Sequence, residues 1–220
     1  EVIDTLRRAI VDELGGVTDN PLVFPGDHGD RSAILSGGNF HGMPIAIPMD
    51  AARVGLSHLA GIAERRVNWL VSAHDPQNPA PPYLSPGPGL HSGLMIAQYA
   101  AAACCNELQV LAHPASVHNV TTSAGIEDYN SFGATSALML RQAVERCREV
   151  IAIELLVMSE GLEHQRPLKS GDLVERAHQA IRAVVPALKA DRPPAPDIAE
   201  LTRLIGCGSL EEAIASEAER

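Results

Sequence analysis

Residues 36–42, with the sequence SGGNFHG, place an amide, an aromatic ring and an imidazole side by side between glycines. Gly37 and Gly38 permit the positive φ angles of a tight bend, and Gly42 permits the chain to leave it. Asn39, Phe40 and His41 would then be displayed by the bend. The alternative is an ordinary surface turn, because glycine-rich turns are common.

Two long connections carry further polar side chains. Residues 74–93 and 113–133 concentrate His, Asn, Ser, Thr, Glu and Tyr between apolar segments. A compact helical domain usually joins neighbouring helices with much shorter loops unless the loop has a function. We therefore predict that these two connections form a site together with residues 36–42.

Other chemistries are less well supported by the residue pattern. A carboxylate and imidazoles suit zinc or iron, so Glu127 could join His91, His113 and His118 in a metal site. Their spacing matches no ligand motif, and we predict no metal. The sequence contains no GxSxG, P-loop or dinucleotide-binding fingerprint. The four cysteines include no CxxC pair and are predicted to be buried thiols and not to form a disulfide or a zinc site.

The elements that must position these loops are mainly helical. Apolar residues at steps of three and four predict one long helix over about 131–163, which would measure roughly 50 Å. It is apolar on two sides, which favours a core helix in a bundle or one shared between subunits. Further helices are predicted over the ranges 50–72, 92–111, 171–190 and 197–205, with Pro48 preceding the first. The segments PLVF and AILSG predict one short hairpin.

Composition narrows the class of protein. The chain has 220 residues, of which 45% are hydrophobic and only 3% aromatic, which suits a core of closely packed aliphatic helices. A formal charge of −10 disfavours nucleic acid or an anionic membrane as a partner. There is no apolar run of about 18 residues and no charged-then-apolar leader, and we predict a soluble, cytoplasmic protein.

Six blocks together resemble a known enzyme family. They are TDNPLVF, SGGNFHG, AERR, HSGLMIAQ, HPASV with TTSAGIED, and AIELLVMSEGLE. Their order and spacing over about residues 1–205 are similar to the carboxyl-terminal half of histidine ammonia-lyase and related aromatic amino-acid lyases and aminomutases. The resemblance implies a mainly α fold, a long-helix bundle of the fumarase/histidine ammonia-lyase type with one short hairpin. It also implies one helical domain over 1–220, with 206–220 as a terminal helix.

The same resemblance implies an activity. The family eliminates ammonia from aromatic or heteroaromatic, histidine-like amino acids, using methylideneimidazolone (MIO) as an electrophilic prosthetic group. Four subunits form a central bundle, and each active site is assembled from more than one of them. Two alternatives remain open, an aminomutase and a non-catalytic, lyase-like protein that oligomerises or binds a ligand.

Individual residues take their expected roles from the resemblance. Phe40 matches the aromatic residue beside the prosthetic group, and Glu127 matches an acidic residue that contacts the substrate or transfers a proton. We predict these two as catalytic. The residues predicted to bind substrate are Asn39, His41, His91, Ile126 and Tyr129.

Several positions depart from the family pattern. Ile126 stands where the family commonly has Gln, Tyr129 where it has His, His91 where it has Asn, and His118 where it has Asp. Ile126 removes a hydrogen-bond donor and an acceptor from the predicted site, while the imidazoles and the phenol change its shape. An amino acid other than histidine, an aminomutase outcome and a modified substrate therefore all remain open.

The sequence contains no Ala-Ser-Gly, the tripeptide that forms MIO in the family. The family's catalytic tyrosine and its carboxylate-binding Tyr-x-x-Arg lie upstream of the matched blocks. We therefore expect MIO to come from a missing amino-terminal segment or from a partner chain that carries Ala-Ser-Gly. The chain is interpreted as a fragment, as one subunit of a split lyase, or as a lyase-like chain without the electrophile.

Overall fold

The computed structural model describes residues 1–26, 32–37, 39–77 and 80–215, with Asn39 described by its backbone only. This part of the chain is mainly helical, and the predicted fold class is confirmed. The α-helices are α1 (Val2–Leu14), α2 (Met43–Ser72), α3 (Met95–Leu111), α4 (Gly133–Glu163), α5 (Asp172–Arg182), α6 (Ala195–Gly206) and α7 (Ser209–Ala215). Short 3-10 turns cover Asn39–His41, Pro82–Leu84 and Ser123–Gly125.

The predicted hairpin is present. Strands β1 (Leu22–Phe24) and β2 (Ala33–Leu35) pair antiparallel, with Val23 opposite Ile34. Most of its side chains are exposed, so this small sheet does not form a core.

Helix α2 begins earlier than predicted. Asp50 was the expected first residue, with Pro48 before it, but the helix starts at Met43 and Pro48 lies inside it. Gly42, at a φ of +75°, ends the preceding turn, and its carbonyl accepts hydrogen bonds from the amides of Ile45 and Ala46. Proline lacks an amide proton, so Pro48 removes one helical hydrogen bond, but it does not stop the helix.

The predicted bounds of two other helices also need correction. Helix α3 begins at Met95 and not at Ser92, and α5 ends at Arg182 and not near residue 190. Ser92 and Gly93 instead donate their amides to Asp191, which holds the segment before α3 outside the helix.

The chain divides into two compact units, whose boundaries fall within α2, α3 and α4. One unit contains residues 1–56 and 109–144, and the other contains 57–108 and 145–220. The second unit has the larger set of buried aliphatic side chains, including Val67, Leu108, Val150, Ile153, Leu156 and Val157. Its helices approach closely, because a Cβ at Gly161 of α4 would lie 2.7 Å from Leu70 of α2. The single domain over 1–220 stays a prediction.

None of the helices in the described part of the chain combines the length and the apolar character that a bilayer span requires.

Candidate active site

The turn predicted to display functional side chains is fixed through its backbone. His41 ends the 3-10 turn Asn39–His41, and its carbonyl accepts a hydrogen bond from the buried hydroxyl of Ser131. Gly133, the first residue of α4, lies against the same turn, and a Cβ there would lie 3.4 Å from the His41 carbonyl oxygen. Gly38, predicted to help form the bend, and the Asn39 side chain lie outside the described residues.

Phe40, His41 and Glu127 come together in the first unit. The Nε2 of His41 lies 3.2 Å from Oε2 of Glu127, and the two side chains are 21% and 33% exposed. The ring centroids of Phe40 and His41 are 4.2 Å apart, with the planes tilted by 48°. We call Phe40, His41 and Glu127 the aromatic–acid cluster.

Glu127 is positioned by a closed loop. The Thr122 amide donates to the Glu127 carbonyl at 2.9 Å, and the Thr122 hydroxyl lies 3.4 Å from Oε2 of Glu127. Asn130, which is buried, donates from Nδ2 to the Val120 carbonyl at 2.8 Å and to the Thr122 hydroxyl oxygen at 2.9 Å. Because Thr122 accepts from Asn130, its own proton remains free to point at Glu127.

The two side chains that approach the Glu127 carboxylate both approach Oε2. Among the described residues, Oε1 accepts no hydrogen bond. A carboxylate anchored at one oxygen retains acceptor capacity at the other, which can take a proton or attract an ammonium group.

The backbone beside Glu127 is left-handed. Ser123, Ala124 and Gly125 have φ values of +49°, +54° and +91°. Non-glycine residues in this region cost of order 1–3 kcal/mol and persist only where the surroundings hold them. Here the pairing of Thr122 with Glu127 on either side of the turn holds them.

A buried ion pair holds the start of the same loop. Asp50 of α2 accepts from the Ser116 amide at 2.8 Å and from its hydroxyl at 2.7 Å. Asp50 also pairs with Arg53, whose side chain is fully buried and donates to the Leu111 carbonyl. Burial alone would raise the pKa of Asp50, but the hydrogen bonds from Ser116 and Arg53 outweigh it, and the pKa lies below its usual value.

Ile126 and Tyr129 lie close to Glu127 in sequence, but their side chains are more exposed than that of Glu127. Their side chains are 84% and 67% exposed, so neither packs into the unit that holds the aromatic–acid cluster. Both remain predicted substrate-binding residues.

His91 belongs to the second unit. Its Nδ1 lies 3.9 Å from Oδ2 of Asp191, and with Tyr83 and Met95 it lines a cavity of about 290 Å³. Hydrogen bonds from the Ser92 and Gly93 amides hold the pKa of Asp191 below its usual value. The role of His91 in substrate binding stays a prediction.

Sequence reasoning missed the residues that position the cluster. Ser116, Asn130 and Ser131 were not singled out, although each lies in a predicted functional loop. The ion pair of Asp50 and Arg53 could have been predicted from the sequence, because an Asp followed three residues later by an Arg on a helix favours an ion pair. Their burial could not be inferred, because it depends on contacts with Leu111 and Ser116 from another part of the chain.

The described residues contain no group of three or more His, Cys, Asp or Glu side chains arranged to hold a metal ion. The cluster instead offers an aromatic face, an imidazole and a carboxylate with one unengaged oxygen. Such a set can pack against a planar group and hold a proton or an ammonium group.

Comparison with known proteins places the chain in a family. The family model for aromatic amino acid lyases matches residues 1–183. A histidine ammonia-lyase from Anaeromyxobacter dehalogenans is 47% identical over 209 residues, covering 93% of this chain and 39% of that protein. The chain belongs to the aromatic amino acid lyase family.

Solved structures of aromatic amino acid lyase relatives share its fold. The crystal structure of histidine ammonia-lyase from Trypanosoma cruzi matches with a TM-score of 0.89 and 37% identity, covering 98% of this chain and 41% of that one. Tyrosine aminomutase from Streptomyces globisporus matches with a TM-score of 0.90 and 32% identity, covering 98% and 40%. The chain thus spans about two fifths of the length of these relatives.

Proposed function

We propose that this chain supplies the aromatic–acid cluster to the active site of an ammonia-lyase. The substrate class is an aromatic or heteroaromatic amino acid. The observation that carries the proposal is the meeting of Phe40, His41 and Glu127 in a chain of the aromatic amino acid lyase family. Phe40 provides the apolar face of the site, and Glu127 meets the substrate or transfers a proton.

The cluster fits the prosthetic group that the family uses. MIO supplies an electrophile for the substrate when it is bound. The partly buried ring of Phe40 can pack against a planar group, and Oε1 of Glu127 can attract an ammonium or hold a proton. Because this chain contains no Ala-Ser-Gly, we propose that another segment or chain provides the electrophile.

For the side chain of the substrate we propose only its chemical class, an aromatic or heteroaromatic ring. Ile126 replaces the amide that the resemblance led us to expect, and an isoleucine neither donates nor accepts a hydrogen bond. A site with Ile126 and Tyr129 suits a larger aromatic side chain at least as well as an imidazole. Histidine is accordingly one candidate among several.

An aminomutase is the second candidate. It is favoured by the match to tyrosine aminomutase, whose TM-score of 0.90 is as high as that of the histidine ammonia-lyase structure. Product analysis distinguishes the two outcomes, because a lyase releases ammonia and an aminomutase retains the amine as a β-amino acid.

Glu127→Gln tests the proposed function. The substitution keeps the shape of the side chain but removes its charge and its proton transfer, so kcat for ammonia release should fall on the order of 10²-fold or more. The measurement is steady-state ammonia release by the assembled enzyme over a panel of aromatic and heteroaromatic amino acids.

Asp128→Asn is the matched control, because it makes the same change of charge at the next, exposed residue. We expect it to retain activity. Equal turnover by the wild type and Glu127→Gln would refute the role of Glu127, and a wild type that neither releases ammonia nor isomerises any panel member would refute the function.

A further inference from the structure

His41 lies between the two residues predicted as catalytic. Its ring contacts the Phe40 ring on one side, and its Nε2 reaches Oε2 of Glu127 on the other. Its side chain is 21% exposed, so it is mostly enclosed by these neighbours.

The His41 backbone is held independently of its side chain. The Ser131 hydroxyl donates to the His41 carbonyl, and Gly133 packs against the same atom. The contacts that set the His41 backbone are therefore separate from the contacts of its ring.

Glu127 lies beside this imidazole. The Thr122 hydroxyl, at 3.4 Å, is at the outer limit of a hydrogen bond, and Nε2 of His41 lies closer, within ion-pair distance at 3.2 Å. Within the described part of the chain, His41 is thus the polar side chain that comes nearest to the carboxylate, and it approaches Oε2.

We propose that His41 is a positioning residue that acts through Glu127. Its Nε2–H holds Oε2, which leaves Oε1 as the atom that meets the substrate. This role rests on the proposed function, and it differs from the substrate contact that the sequence predicted for His41. A substrate-binding residue changes KM, whereas a residue that orients an acid–base group changes kcat.

His41→Leu and His41→Gln separate positioning from packing. Leucine removes the donor, and we expect kcat of the assembled enzyme to fall by roughly 10- to 100-fold with KM little changed, as for the loss of one hydrogen bond to a charged group. Glutamine can still donate an N–H to Oε2 and should restore most of kcat. His58→Gln, at an exposed residue of α2, is the control for the loss of a histidine.

A double variant tests whether His41 acts through Glu127. We expect His41→Leu/Glu127→Gln to be no more than about 3-fold slower than Glu127→Gln alone, because the group that His41 positions is already disabled. If the two losses multiply, or if His41→Leu raises KM and leaves kcat intact, the positioning role is refuted.

Nitrogen-15 NMR of the histidine rings gives a readout that does not depend on turnover. We expect a protonated Nε2 on His41, and we expect Glu127→Ala to shift the ring nitrogen signals of His41 but not those of His58. Unchanged His41 signals would refute the pairing, and with it the proposal.

The two sets of measurements separate the possible failures. If no amino acid is turned over, the proposed function fails, and the NMR shift alone then decides whether His41 holds Glu127. If the wild type is active but the kinetic split, the double variant or the NMR shift is absent, the positioning role alone is refuted.

Discussion

Asp50 and Arg53 lie one turn apart on α2, and both are buried, so each charge needs the other. A buried charge without a partner is strongly unfavourable, and breaking such a pair costs about 3–5 kcal/mol. Asp50 also holds Ser116 through two hydrogen bonds. The pair therefore links the stability of α2 to the start of the loop that carries Glu127.

Asp50→Asn should destabilise the chain by about 3 kcal/mol at neutral pH, because it leaves the Arg53 charge without its carboxylate. The pKa of Asp50 is lower in the folded protein than its usual value. Its stabilising contribution is therefore complete above the unfolded pKa of about 3.9 and is lost as pH falls toward the folded pKa. Urea unfolding of both proteins at pH 7 and below pH 4 measures the difference, which should shrink in acid.

Asp12→Asn is the matched control for this prediction, because Asp12 is exposed on α1. It should change the unfolding free energy by less than about 0.5 kcal/mol at either pH. A difference between wild type and Asp50→Asn that does not depend on pH would contradict the electrostatic explanation.

At the scale of the elements, the segment before α3 depends on a close backbone approach. Gly93 has a φ of +58°, and a Cβ there would lie 2.4 Å from the Tyr83 carbonyl oxygen and 2.9 Å from the Ser85 Cα. These are backbone atoms and cannot move aside as a flexible side chain can. The same segment carries His91 and is held to Asp191.

Gly93→Ala should cost well over the roughly 1–2 kcal/mol of a left-handed alanine, because the clash adds to the strain. Gly89→Ala is the control, since its φ of +92° imposes similar strain but no atom lies within 4 Å of the added Cβ. Thermal unfolding of the two variants isolates the clash. Equal melting temperatures would show that an added Cβ at residue 93 does not clash with the backbone of Tyr83 and Ser85.

The helices and the hairpin could be predicted because hydrophobic periodicity and turn residues act locally. Helix α4, with its long apolar stripe, was predicted to within two residues at its start. The predicted start of α2 is wrong because Pro48 suggests a helix boundary, whereas the helix begins just after Gly42, with Pro44 in its first turn. Either proline is compatible with the first turn of a helix, so the local sequence fits both starting points.

The candidate site was predictable only through the resemblance of its motifs. The matched motifs marked Phe40 and Glu127, but the contact of His41 with Glu127 spans 86 positions of sequence. No local pattern encodes such a pairing, because it depends on how Ser131 and Gly133 dock against the turn. The division into two units, with His91 in one and Glu127 in the other, was likewise not apparent from the sequence.

At the scale of the whole molecule, the second unit exposes more apolar side chains on its helices than is usual for a monomeric protein. Exposed apolar side chains follow one face of α2, where Leu59, Ile62 and Trp69 are 48%, 56% and 51% exposed. Ile96 and Tyr99 of α3 are also exposed. Exposed apolar side chains grouped along one helix face are typical of interaction sites, and we propose that other copies or a complementary chain cover them.

Trp69 is the single tryptophan of the chain and therefore reports on this face. In the assembled enzyme its fluorescence emission should move to shorter wavelength and be quenched less by acrylamide than in the purified chain alone.

Ile62→Glu should change the stability of the chain by less than about 0.5 kcal/mol, because the side chain is exposed, but it should weaken assembly measured by sedimentation. Leu173→Glu, at an exposed position of α5, is the control. The same preparation of the chain alone should neither show the absorbance of the prosthetic group nor release ammonia, because it contains no Ala-Ser-Gly. A monomer that deaminates an amino acid unaided, or a Trp69 that is quenched equally in both states, would refute the proposed assembly.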